Sequence, residues 1–263
     1  MTPGETLSPR FIAIVGGSGS GKSWLGARLA QYFGTQAARV SLDDFYRDRR
    51  AVPEKQRDAI NFDHPNAIDW AAFQRWIVTA RAGRTASLPR YDFKTHTRIG
   101  NDQPWEPAPL VLIEGLWLLW RAAVRRLFDF SIFIDCPETT RLERREKRDI
   151  AERGRTTKSV RRQFRDAVAP MHRLYVEPQT RWADMVLTHP VGEATVYRVA
   201  VRLTELLPAA GPWLTGETEG FNSSLLSANS LQPLNAGTVA NRARFAPDAS
   251  GLGGGNEIKS CSL

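Results

Sequence analysis

Cysteine is scarce in this chain of 263 residues, which has only Cys136 and Cys261. Two thiols so far apart suggest neither a disulfide framework nor a thiolate metal centre, and a reducing cytoplasm is the expected setting. Long apolar runs are missing too. Pro109–Trp120 and Phe128–Cys136 fall short of the roughly 20 residues a membrane helix needs, and Glu114, Gly115, Asp129 and Asp135 interrupt them. No membrane partner is expected, and no secretory signal, because the first residues lack a basic segment followed by an apolar one. The histidines, His64, His96, His172 and His189, show no metal-ligand spacing, so no zinc site is assigned. An Asn-Lys-x-Asp guanine motif is also missing, which argues against a GTPase.

What the chain has is enough apolar sequence for a core, at 42% hydrophobic and 24% charged residues, and a net charge of +8. From Pro208 onward there are three basic and four acidic residues, so the first 207 residues hold +9, much of it arginine between Arg141 and Arg173. Arginine grips phosphate with a planar fork, which suits a polyanionic small molecule. Neither a helix-turn-helix pattern nor a basic-aromatic module is visible, so no nucleic-acid partner is expected. Residues 208–263 draw 24 of 56 positions from Gly, Ser, Asn and Pro, and are expected to form a disordered extension to a folded domain over 1–207.

Within 1–207, short β-rich runs alternate with helical patterns, the signature of a parallel sheet wrapped by helices. The runs predict strands over Phe11–Val15, Ala38–Leu42, Leu110–Ile113, Phe130–Asp135 and Asp184–Leu187. Helices are predicted over Lys22–Phe33, Asp69–Ala82, Thr139–Arg153, Ser159–Tyr175 and Ala194–Leu206. The fold class is therefore α/β, a doubly wound parallel sheet of about five strands.

The first strand runs into Gly16, Gly17, Ser18, Gly19, Ser20, Gly21, Lys22 and Ser23, and a helix follows at once. This is a phosphate-binding loop in its required strand-loop-helix setting. Backbone amides and the helix N-terminus face the phosphates, Lys22 reaches the β- and γ-oxygens, and Ser23 holds magnesium. Asp43, at the end of the second strand, stands where ligands bind in an open parallel sheet. There it can take a proton from an attacking hydroxyl and lie close to the metal; capping a turn is the alternative role. Glu114 ends a buried strand in the position of a metal-directed acid; a strand-end acid merely facing solvent is the alternative. Arg141, Arg144, Arg145 and Arg148 share one helix face, which breaks at Gly154 between Arg153 and Arg155. With Glu143, Glu146 and Asp149 interleaved, that helix is either a salt-bridged surface or a hinged lid over about 141–158. The phosphate loop favours the lid.

In order along residues 10 to 187, these segments resemble the uridine kinase family of P-loop kinases. The resemblance is carried by the phosphate loop, Asp43-Asp-Phe-Tyr46, Asn61-Phe-Asp-His-Pro65, Pro89 to Arg98, Glu114-Gly115, Arg148 to Arg155 and Pro170 to Pro178. It implies phosphorylation of the 5′-hydroxyl of uridine or cytidine by ATP, or GTP, with Mg2+, in a cytoplasmic homo-oligomer. Asp43 would be the general base, with Ser23, Asp43 and Glu114 at the metal. Lys22, Arg148 and Arg153 would stabilise the transferring phosphoryl group. Asp63 would hold the ribose hydroxyls, while Tyr46, Phe62, Tyr91 and Phe93 wall the nucleoside. His96 with Tyr91 would read the base edge, and Arg145, Arg155 and Gln163 would complete the substrate contacts. Trp117 and Trp120 depart from the family's small aliphatic residues and belong either to the core or to a reshaped pocket. Kinases of phosphoribulose, pantothenate or nicotinamide riboside are the near alternatives. A nucleic-acid-binding protein and a non-catalytic ATP-binding scaffold are the distant ones.

Overall fold

Apolar runs long enough to be covered on both faces favour a buried parallel sheet. The computed structural model, which describes residues 9–57, 60–100 and 102–207, contains one. The extension expected over 208–263, with Cys261, lies outside the described residues. In chain order the strands are β1 (Arg10–Gly16), β2 (Ala37–Ser41), β3 (Ala86–Leu88), β4 (Tyr91–Asp92), β5 (Thr97–Arg98), β6 (Gln103–Trp105), β7 (Leu110–Gly115), β8 (Phe130–Asp135) and β9 (Met185–Thr188). The α-helices are α1 (Lys22–Phe33), α2 (Glu54–Arg57), α3 (Trp70–Arg81), α4 (Ala122–Arg125), α5 (Glu138–Arg153), α6 (Thr157–Gln163), α7 (Ala169–Met171) and α8 (Glu193–Thr204).

Five strands pair in parallel in the order β2-β7-β1-β8-β9. Alternate side chains of β1 leave on opposite faces, as the period of a strand requires. Phe11, Ala13 and Val15 pack with Phe73, Trp76 and Ile77 of α3. Ile12 and Ile14 pack with Leu25 and Leu29 of α1 and with Val196, Val199 and Leu203 of α8. Helices thus cover both faces, and the phosphate loop and both strand-end acids emerge at the carboxyl edge of one sheet.

The predicted strands are all present, Phe130–Asp135 with the same ends and the others with ends shifted by at most two residues. Asp69 caps α3 by accepting from the Ala72 amide at 3.0 Å. Two features differ from expectation. Between Ala86 and Trp105, where no strand is predicted, β4 pairs with β5, and β3 with β6, as two short antiparallel ladders. The helix expected over Ser159–Tyr175 is interrupted by wider π-helical turns at Phe164–Val168 and His172–Val176. Pro170 lies between them, supplies no N–H and crowds the carbonyl four residues earlier, so the ladder widens around it. Trp117 is fully buried in the core, its segment pinned by the buried Gln179, which donates to the Leu116 carbonyl and accepts from the Leu119 amide. Trp120 packs against Tyr175 and Trp182. Neither tryptophan lines the cleft, so of the two alternatives the core reading holds.

Candidate active site

The phosphate loop turns where side chains are missing. Gly19 has φ of +82° and Gly21 +102°, conformations that L side chains rarely adopt. At Gly19 a methyl group would stand 2.5 Å from the Arg141 carbonyl oxygen of α5, which lies directly behind the loop. Gly19→Ala is therefore expected to cost about 3 kcal/mol, combining left-handed strain with a backbone clash. Gly154→Ala, at φ +61° with open space around it, should cost only about 1 kcal/mol. Thermal unfolding of the two variants checks the difference.

Lys22 folds back on the loop and donates to the Gly17 carbonyl at 2.9 Å. Burial lowers its pKa, while Glu114 and Asp43 oppose that shift. Asp43 sits in a 3-10 turn after β2, where the Ser41 hydroxyl accepts from its amide at 3.2 Å. Its carboxyl is raised by burial against the pull of Lys22, and Glu114 adds to the rise. Asp44 is pushed up to about 6, first by burial and then by Asp43. The neighbouring strand ends register Ser41 beside Glu114, so the two acids converge although 71 positions separate them in sequence.

Beyond Asp43, aromatic rings form the far wall. The Tyr46 ring centroid lies 5.2 Å from that of Tyr91, 5.9 Å from Phe62 and 6.2 Å from Phe93. The Tyr46 hydroxyl donates to the Phe62 carbonyl at 3.0 Å. Phe62 and His96 stack, with centroids 4.2 Å apart and an interplanar angle of 14°. His96 is the one non-glycine residue with positive φ among those described, at +57°, and its ring is turned onto Phe62 by that strained turn of the β4–β5 connection. The Tyr91 hydroxyl is buried without a hydrogen-bond partner among the described residues, and burial pushes its pKa up to about 12. It therefore keeps its proton at neutral pH and can act as a donor.

The arginines of α5 and the turn after it close the third side. Arg145 is the junction: it donates to the Ser18 hydroxyl at 3.0 Å and to Gln163 Oε1 at 3.1 Å, and lies 4.0 Å from Asp63. Burial raises the Asp63 carboxyl, and Arg145 and Arg155 pull it back. The organising residue is Asp149, which is fully buried. Arg148 bonds it at 2.8 Å, Arg145 approaches at 3.5 Å, and Arg153 and Arg155 each at 3.7 Å. Sequence reasoning read Asp149 only as one of three interleaved acids. Its spacing of four from both Arg145 and Arg153 was the available signal. Behind the loop, His172 is lowered to about 3 by burial, Arg141 and Lys22, so it adds no charge there at neutral pH.

One cleft of about 750 Å3 joins these parts. It is lined by Ser18, Gly19, Gly21, Lys22, Ser23, Asp43, Tyr46, Phe62, Asp63, Tyr91, Phe93, His96, Glu114, Arg145, Arg148, Arg153, Arg155 and Gln163, all anticipated from sequence. Gly16, Gly17 and Ser20 stand behind its wall. At Gly16 a methyl would meet Ser20 Oγ at 2.7 Å, and at Gly17 the Arg141 side chain at 2.8 Å, so these glycines let the loop pack closely. Trp24, Lys94 and Arg144 line the cleft and were not anticipated for it.

The family model for the phosphoribulokinase / uridine kinase family matches residues 11–195. A uridine kinase from Clostridium perfringens is 37% identical over 180 residues, covering 68% of this chain and 86% of its own. One from Deinococcus deserti is 36% identical over 184 residues, covering 70% and 89%. Among solved structures, phosphoribulokinase from Rhodobacter spheroides superposes with a TM-score of 0.54 at 17% identity, over 69% of this chain and 70% of its own. D-Glycerate 3-kinase from Cryptococcus neoformans gives 0.52 at 19%, over 69% and 85%. These two show the shared fold, a P-loop kinase sheet. With the family model covering most of the described residues and relatives at this identity, the chain belongs to the phosphoribulokinase / uridine kinase family.

Proposed function

We propose that this chain transfers the γ-phosphoryl group of ATP, or of GTP, to the 5′-hydroxyl of uridine or cytidine. The observation that carries the reading is the cleft itself. A phosphate loop lies at one end and a cage of rings at the other, with Asp43 close enough to both Lys22 and Tyr46 to shift their titration. Flat rings around a planar base suit a nucleoside, whereas a sugar phosphate calls for cations in the same place. The names of the relatives, uridine kinases, support the same substrate class.

Asp43 accepts the hydroxyl proton and orients its oxygen for attack. Asp63 takes the ribose hydroxyls as a buried acceptor. Tyr91 and His96 face the base edge, with Gln163 held ready by Arg145 and Arg155. Lys22, Arg148 and Arg153 neutralise charge on the transferring group, and the turn at Gly154 hinges the arginines over it as a lid excluding water. The oxygens of Ser23, Asp43 and Glu114 fit a hard divalent cation: two carboxylates and a hydroxyl crowd a site where Asp43 is raised by burial and by Glu114. No group of three or more His, Cys, Asp or Glu forms an all-protein cage among the described residues. That suits magnesium, which takes one or two carboxylates and completes its shell from phosphates and water. When bound there, magnesium would neutralise charge on the phosphates of the donor nucleotide. No helix of the described residues is long and apolar enough to cross a membrane.

The test is ADP release with ATP and Mg2+ against uridine, cytidine, adenosine, pantothenate, ribulose 5-phosphate and nicotinamide riboside. Turnover is expected on uridine or cytidine. His96→Ala should raise the nucleoside KM by about tenfold or more, with the KM for ATP unchanged, the loss of one stacked, hydrogen-bonding ring. Silence on both pyrimidines with turnover on another acceptor would overturn the substrate assignment.

A further inference from the structure

Glu114 makes one ion pair among the described residues, and its partner comes from outside the motifs discussed above. Arg39 lies on the edge strand β2, beside Leu112 of β7 and two residues before Ser41, the partner of Glu114. Its Nη2 donates to Glu114 Oε1 at 3.2 Å and to the backbone carbonyl of Ser23 at 3.3 Å. One guanidinium therefore touches both Glu114 and Ser23, two of the three residues proposed to hold magnesium.

A guanidinium has the same sign as the metal and occupies an oxygen that the metal needs. Arginine also stays protonated at any working pH, so it leaves by moving and not by titration. Its side chain is 40% exposed while that of Glu114 is 15% exposed, so solvent screens the pair and offers Arg39 somewhere to go. A screened pair of this kind contributes little to stability and is easily broken by a divalent competitor. We propose that Arg39 is a removable counter-ion: it neutralises Glu114 while no divalent cation is bound and must release it for loading, so it raises the cation concentration the enzyme requires. This inference rests on the magnesium-dependent reading above. If Arg39 instead props Glu114 in a metal-ready position, its loss would weaken cation binding, so the two roles predict opposite signs.

The experiment titrates Mn2+ into the full chain with a non-hydrolysable ATP analogue, following free Mn2+ by electron paramagnetic resonance. Arg39→Met is expected to bind Mn2+ about threefold to tenfold more tightly than the parent, and to reach half-maximal turnover at correspondingly lower Mg2+. Arg39→Lys, which keeps the charge, should lie between parent and Arg39→Met. Equal or weaker Mn2+ binding by Arg39→Met overturns the counter-ion. If thermal unfolding shows that Arg39→Met does not fold, Arg39→Gln carries the same expectation. A parent protein that turns over uridine but binds no Mn2+ refutes the metal site and this inference together. A parent that binds Mn2+ with the nucleotide but leaves uridine unphosphorylated refutes only the acceptor assignment.

Discussion

Asp43→Asn is expected to lower turnover on uridine by about 10²- to 10⁴-fold, the usual range for a positioned general base. The amide keeps the shape and the Ser41 cap on the residue-43 backbone amide, but it cannot accept the proton. Folding should be little affected. The carboxylate gains the attraction of Lys22 but pays for burial and the repulsion of Glu114, and these terms oppose one another in the native state. The pH profile supplies an independent check. Because burial and Glu114 raise the Asp43 pKa, the parent's rate should fall as pH drops through a value above the ordinary carboxylate range. Melting temperature, kcat and that acidic limb are the three measurements. Near-parental turnover by a folded Asp43→Asn protein would remove Asp43 from the chemistry.

Asp149→Asn should be nearly as damaging, although Asp149 does not line the cleft. It would leave four arginines around a neutral, fully buried amide, and removing one partner of a buried ionic cluster costs about 3–5 kcal/mol. Part of that cost should appear as a lower melting temperature. The rest should appear as disorder in the turn at Gly154, and kcat/KM should fall by about 100-fold or more, because misplaced charges no longer match the transition state. Burial alone would raise the Asp149 pKa, but Arg148 and Arg145 outweigh it and the net shift is downward. Its stabilising contribution is therefore present above the ordinary carboxylate pKa and is lost as pH falls through the depressed folded value. The cluster is intact at neutral pH. Turnover and melting temperature both close to the parent's would show that the arginines hold their places without it.

How far the site could be read before the structure depended on the distance over which each interaction acts. The phosphate loop is eight consecutive residues whose glycines and lysine work through local backbone geometry, so its role was legible in a short string. Four arginines at helical spacing were equally legible as one face. Asp149 was not, because an acid among arginines on a helix reads as a solvated salt bridge. Only packing showed it fully buried, while Glu143 on the same helix is exposed. The two short ladders between Ala86 and Trp105 were missed for a related reason: two- and three-residue strands carry too little periodicity to register. The π-helical turns around Pro170 are a compromise between a proline and helical packing, and pattern alone does not reveal how such a conflict resolves.

By itself the sequence determined the sheet-and-helix order, the phosphate loop, the strand-end acids and the kinase family, because strand and helix periodicities and contiguous motifs are short-range properties of the chain. Tertiary structure decided which distant residues meet. It brought Tyr46, Phe62, Tyr91 and His96 into one cage, enclosed Asp149 among arginines, sent Trp117 to the core and laid Arg39 against Glu114, 75 positions away. The physical reason is that side-chain charge and burial are set by neighbours across the fold, and parallel-strand register, which no local pattern encodes, chooses those neighbours.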